Sequence, residues 1–275
     1  MNIVISLSKQ YSLTIFCILT IALTFAATLL PMPGEMTPVI IVFIPAFVAI
    51  ALTALSEGKV GVRSLLGKLS QWRVNFKRAV IAVALALVMR LTISLIALGL
   101  GMIPAIHVRP GPPAQFVILA LILFLFAMPE ELGWRGYVLS KLLQQHSPLT
   151  AGLIVGILWG SLHLALHLPG MIYAGLPLLP TLLQLIGLSV LITWVYVQTD
   201  GNILLTSLFH AAQSFFVIVN EGIPLVKLVW LMSAVYLAIA FIIVIFAGSS
   251  FVRRPVAAIL PTVEDARTNQ AVAGK

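Results

Sequence analysis

Long apolar runs dominate the chain, separated by short polar stretches. They are read as spans at Tyr11–Leu30, Pro38–Leu55, Ala79–Ile103, Ala114–Met128, Pro148–Leu168, Leu178–Gln198, Ile203–Val219 and Leu228–Ala247. A helix needs roughly 20 residues to cross a hydrocarbon core about 30 Å thick. The fourth run is short by itself but is expected to continue helically past Pro129, which membrane helices tolerate when neighbours satisfy the freed carbonyl. The first run is too long for a signal peptide and no A-x-A site follows it, so it is read as a retained helix. The pattern predicts an all-α protein, a polytopic membrane helix bundle of about eight transmembrane helices.

Composition agrees with this reading. Of 275 residues, 61% are hydrophobic and 9% charged. A soluble domain carries about 25% charged residues. The single cysteine, Cys17, excludes an intramolecular disulfide. No internal repeat is visible. One membrane domain is expected over residues 1–252, with its motif core at 114–220, followed by a polar cytoplasmic tail, 253–275, whose composition predicts disorder.

The net charge of +8 is read as topology, not as a nucleic-acid footprint. Lys9, the group Lys59, Arg63, Lys68, Arg73, Lys77 and Arg78, then Arg135 and Lys141, then Arg253 and Arg254, flank alternate loops. Arg109 and Lys227 are the exceptions. With eight spans, the positive-inside rule places both termini in the cytoplasm. Leu65, Leu66, Leu69 and Trp72 recur at helical spacing among Arg63, Lys68 and Arg73, the pattern of a basic helix at headgroup level. That helix serves as an anchor or as a surface receiving a substrate.

Ionisable groups inside a bilayer are costly and tend to be functional. In Pro129-Glu130-Glu131-Leu132-Gly133-Trp134-Arg135, Glu131 and Arg135 stand four apart on one helical face and can pair. Glu130 then points elsewhere, free to act as a base toward water. The alternative is a helix start with Pro129 at its first position and acids favoured by the dipole. His163 and His167 are likewise four apart and can hold a metal, orient a water, or simply bond within the core. His210 and Ser214 share a face of a third helix, with Gln213 beside them. Together the three helices can build one polar cavity that activates a water and steadies an oxyanion. Arg90, in mid-span, has no partner assigned by sequence.

These residues resemble the CAAX protease and bacteriocin-processing (CPBP or ABI) family of intramembrane endopeptidases. Its motif Glu-Glu-x-x-x-Arg is matched by Glu130, Glu131 and Arg135. Its aromatic-x-x-x-His is matched by Trp159 and His163, a spacing that favours His163 over His167. Its third motif, His-x-x-x-Asn, is matched by His210, with Ser214 standing where Asn is usual. The basic stretch from Gly61 to Val74 is similar to a segment found in many bacterial members.

The resemblance implies a helical bundle with a cavity opening toward cytoplasm or lipid, in a multi-pass protein of the plasma membrane. Glu130 would be the general base, with His163 and His210 stabilising the oxyanion or, with Glu130, binding a metal. Zinc or another divalent ion would suit that set, although water alone also serves. Glu131, Arg135, His167, Gln213 and Ser214 would be supporting residues, Gln213 offering the amide that Ser214 lacks. The partners implied are the bilayer and a membrane-associated peptide or protein, with no nucleic acid. Eukaryotic relatives remove the last three residues of prenylated CAAX proteins, and bacterial ones are linked to bacteriocin maturation or self-immunity. A catalytically idle immunity or scaffolding protein is the alternative, and a proton- or ion-coupled transporter a third.

Overall fold

A computed structural model describes residues 10–31, 33–34, 36–72 and 74–253. Lys9, Arg73, Arg254 and, after Arg253, the expected tail lie outside them. The described residues form helices and turns, without strands. In chain order the helices are α1 (Ser12–Ala27), α2 (Thr37–Ile41), α3 (Ile44–Gly67), α4 (Phe76–Gly99), α5 (Pro113–Glu131), α6 (Pro148–His163), α7 (Leu178–Gln198), α8 (Ile203–Phe215) and α9 (Leu225–Arg253).

Among the described residues, seven helical stretches are long and apolar enough to cross a membrane. The eighth expected span, α1, is a 16-residue helix, about 24 Å at 1.5 Å per residue. The second span is longer than its apolar run suggests. Helix α3 runs through Gly58, whose φ of 66° kinks it, and the basic segment after the kink is helical as its periodicity predicts.

Side-chain caps fix three helix starts. Asn75, Ser147 and Asn202 accept hydrogen bonds from the backbone N–H of Arg78, Thr150 and Leu205, satisfying donors that a helix N-terminus leaves open.

Helices α6 and α7 pack closely because α6 presents small residues. A Cβ at Gly152 would come within 2.9 Å of Thr193 Oγ1, and one at Gly156 within 2.9 Å of Ile186 Cα. Close approach over small residues is a usual way for membrane helices to pack. It brings the Ser189 hydroxyl of α7 to 2.9 Å from the Gly152 carbonyl.

The basic segments meet at one end of the bundle. Lys68 Nζ donates to the Gly136 carbonyl at 2.6 Å. Arg78 pairs with Asp200 at 2.5 Å. Asn202 Nδ2 donates to the Gln71 carbonyl at 3.1 Å. Beyond the other end of α4, Arg109 pairs with Glu221 at 2.9 Å.

Candidate active site in the bundle interior

Pro129 is not a helix start. It lies inside α5, which continues as a π-helix over Leu132–Leu139 and a last turn over Ser140–Leu142. A proline inside a helix has no N–H for the carbonyl four residues back. The wider π turns follow immediately, and such turns are frequent at functional sites. All eight residues of the π-helix are buried. Gly133 is needed there, because a Cβ would approach the backbone of Pro45 in α3 to 2.5 Å.

Glu131 and Arg135 pair across one turn, at 2.9 Å, and both side chains are fully buried. The Glu131 oxygen that accepts a hydrogen bond from Arg135 Nη1 also meets His210 Nδ1 from α8, at 2.9 Å. The Arg135 guanidinium stacks over the Trp159 ring, 4.9 Å from its centroid, and reaches the Ser189 hydroxyl at 3.4 Å. Glu131 is therefore held by two donors on two helices, and Arg135 is clamped between α6 and α7.

Glu130 points away from that pair. Its Oε2 accepts the Trp159 indole N–H at 3.0 Å, and the residue lines a cavity of about 370 Å³. His163, His210, Gln213 and Ser214 line the same cavity, as does Arg90. Much of the remaining wall is apolar, with Pro38, Ile41, Leu123, Phe126, Leu162 and Leu185 among it.

The two cavity histidines are oriented alike. His163 Nδ1 lies 2.9 Å from the Trp159 carbonyl, and His210 Nδ1 lies 2.9 Å from the Glu131 carboxylate. Both partners can only accept when Glu131 is ionised, so both Nδ1 atoms carry protons. Nε2 remains as each ring's free nitrogen, an acceptor on a neutral ring and a donor on a protonated one.

His167 is separate from this group. Its Nδ1 meets the His163 carbonyl at 2.9 Å, and its Nε2 is buried without a partner among the described residues. It does not line the cavity, and it follows α6 on a 3₁₀ turn over Leu164–His167. That change of pitch breaks the common face that an unbroken α-helix would have given His163 and His167.

Gln213 borders the cavity with its amide engaged. Nε2 contacts Met89 Sδ at 3.0 Å and Oε1 accepts the Tyr236 hydroxyl at 2.8 Å. Arg90 does not meet Glu130 or Glu131. Its Nε donates to the Gln213 carbonyl at 2.8 Å, and Nη1 reaches Asn220 Oδ1 at 3.4 Å.

Tyr173 is a site residue that the motifs do not contain. It stacks on His163, with ring centroids 6.1 Å apart and planes within 12°. Burial, with the Glu130 charge adding to it, raises the phenol above its ordinary range and keeps it protonated. It sits in the turn between α6 and α7, without a helical period to mark it.

Glu130, His163 and His210, the residues that would hold a metal, line one cavity. Among the described residues no three His, Cys, Asp or Glu side chains are grouped to hold an ion. Nδ1 of each ring and one Glu130 oxygen are held by protein partners, while each Nε2 and the other Glu130 oxygen have none among the described residues.

Comparison with known proteins meets this geometry. Residues 112–216 match the family described as Type II CAAX prenyl endopeptidase Rce1-like. CAAX prenyl protease 2 of Methanococcus maripaludis is 30% identical over 106 residues, covering 35% of this chain. The match spans 38% of that relative's length. The matched stretch holds Glu130, Glu131, Arg135, Trp159, His163 and His210. Residues 112–216, the stretch that carries these side chains, are thus similar to the Type II CAAX prenyl endopeptidases.

Proposed function

We propose that this chain is an intramembrane endopeptidase that hydrolyses a peptide bond with a water activated by Glu130. The observation that carries the reading is the setting of Glu130. It is a carboxylate in a largely apolar cavity, one oxygen held by Trp159, with His163 and His210 on the same walls. Glu130 takes a proton from water as the oxygen attacks the scissile carbonyl, then passes it to the leaving amine.

On its neutral ring, Nε2 of His163 accepts from the attacking water, and Nε2 of His210 faces the developing oxyanion. It donates there only when the ring carries a second proton. With Glu130 and Glu131 ionised, Arg135 leaves the cluster with one net negative charge. A second proton on His210 cancels it and supplies the donor.

The substrate is a membrane-associated peptide or protein, and a prenylated CAAX-type C-terminus suits a largely apolar cavity. The relative's name supports this class. With α1 counted as an eighth crossing, both termini lie on one side. The basic end of the bundle marks that side as cytoplasmic, in the plasma membrane. The test is a cleavage assay on a prenylated CAAX peptide, with and without chelator. Cleavage that chelator leaves unchanged is expected. An intact peptide would refute the activity, and loss of cleavage with chelator would refute the metal-free mechanism.

A second reading, a catalytically idle immunity or scaffolding protein, is favoured by Ser214 and by the engaged amide of Gln213. It expects Glu130→Gln to protect a cell or bind a partner as well as the wild type does.

A further inference from the structure

Arg90 is the buried cation that the reaction above does not use. It lies in the middle of α4 with 4% of its surface exposed, and a cation at such a depth is costly unless something needs it. Arg78, Arg109 and Arg135 each pair with a carboxylate. Arg90 pairs with none among the described residues. Its partners are neutral: the Gln213 carbonyl, the Asn220 amide oxygen, Met232 Sδ at 3.2 Å and the face of Tyr236.

Those partners fix the guanidinium without neutralising it. Asn220 is itself held, its Nδ2 donating to the Arg90 carbonyl at 2.9 Å and to the Ser94 hydroxyl at 2.8 Å. Nε and Nη1 are thereby occupied. Nη2 makes no hydrogen bond to any described residue, and Arg90 lines the cavity that holds Glu130. A pre-oriented cation with one free donor nitrogen is suited to a carboxylate.

The cavity volume limits where that carboxylate comes from. About 370 Å³ is near the lower end of the range for small-ligand pockets. It takes a chain end of a few residues more readily than a loop passing through. The group such an end must bring is its own terminal carboxylate.

We propose that Arg90 is a specificity-determining residue that binds the free C-terminal carboxylate of the substrate and thereby sets which bond reaches Glu130. This inference rests on the endopeptidase reading. It makes the enzyme a counter of residues from the chain end, with Arg90 and Glu130 as the two fixed points.

The experiment uses the full-length protein and two prenylated peptides without acidic side chains, identical except that one ends in a carboxylate and the other in a carboxamide. The wild type is expected to favour the acid in kcat/KM by at least about tenfold, the scale of a buried charge pair. In Arg90→Gln the acid-to-amide ratio falls toward one. In Arg90→Lys, which keeps the charge but loses the partners that hold the guanidinium in place, it takes an intermediate value. The ratio does not depend on how much protein is folded, so a purely structural role would leave it unchanged. Equal cleavage of acid and amide by the wild type overturns the inference while the endopeptidase reading stands, and so does an unchanged ratio in Arg90→Gln. If the variants do not fold, the wild-type ratio decides alone. Cleavage of neither peptide by the wild type overturns the endopeptidase reading, and this inference with it.

Discussion

His210 Nδ1 lies 2.9 Å from the same Glu131 oxygen that receives the Arg135 guanidinium. One buried carboxylate oxygen thus joins α5 to α8 and fixes the His210 ring. Breaking a buried pair from one side leaves a charge uncompensated and costs about 3–5 kcal/mol. Glu131→Gln is expected to lower stability by about that amount, read as thermal unfolding in detergent. Glu131→Gln with Arg135→Met should recover part of the loss. A single variant as stable as the wild type would contradict this role.

Trp159 does two things at once, supporting Arg135 with its ring and Glu130 with its N–H. Trp159→Phe keeps an aromatic face and removes the donor. A hydrogen bond to a charged group contributes about 1.5–3 kcal/mol, and every 1.36 kcal/mol is tenfold in rate. The variant should fold, with kcat reduced about tenfold or more and KM changed less. A fall confined to KM would mean that Trp159 holds substrate rather than Glu130.

The histidines of α6 and its 3₁₀ extension are expected to separate in cleavage assays. His163 lines the cavity and His167 does not. His163→Leu should reduce kcat by about 10²-fold, the cost of a misplaced reactant. His167→Leu should stay within a few-fold of the wild type. The reverse order would reassign the motif histidine.

Packing at the π-helix sets a further limit. A Cβ at Gly133 would press on the Pro45 backbone at 2.5 Å, and overpacking costs about 1–3 kcal/mol. Gly133→Ala is expected to lower the unfolding temperature and the cleavage rate together. Gly67, whose Cβ would meet nothing within 4 Å, should tolerate the same change.

Much of this was legible in the sequence because it depends on short-range periodicity. Four-residue spacing is enough to foresee the Glu131–Arg135 pair, and leucine spacing is enough for the basic helix after Gly58. The π-helix was not legible, since Pro129 reads equally well as a helix start. The fate of His210 was hidden because it depends on how α8 lies against α5. The Trp159–Glu130 bond joins residues 29 apart in sequence, and Arg90 reaches partners 123 to 142 residues away. The close approach of α6 and α7 had a visible signal in Gly152 and Gly156, four residues apart, but the partner helix had none.

The central claim is that Glu130, and not its neighbour Glu131, activates the water. The direct measurement is single-turnover cleavage of a prenylated CAAX peptide by the wild type and by Glu130→Gln, with folding checked by thermal unfolding. The account predicts unfolding close to the wild type's and a rate lower by about 10²–10⁴, the contribution of a general base. Cleavage by Glu130→Gln at the wild-type rate would contradict it.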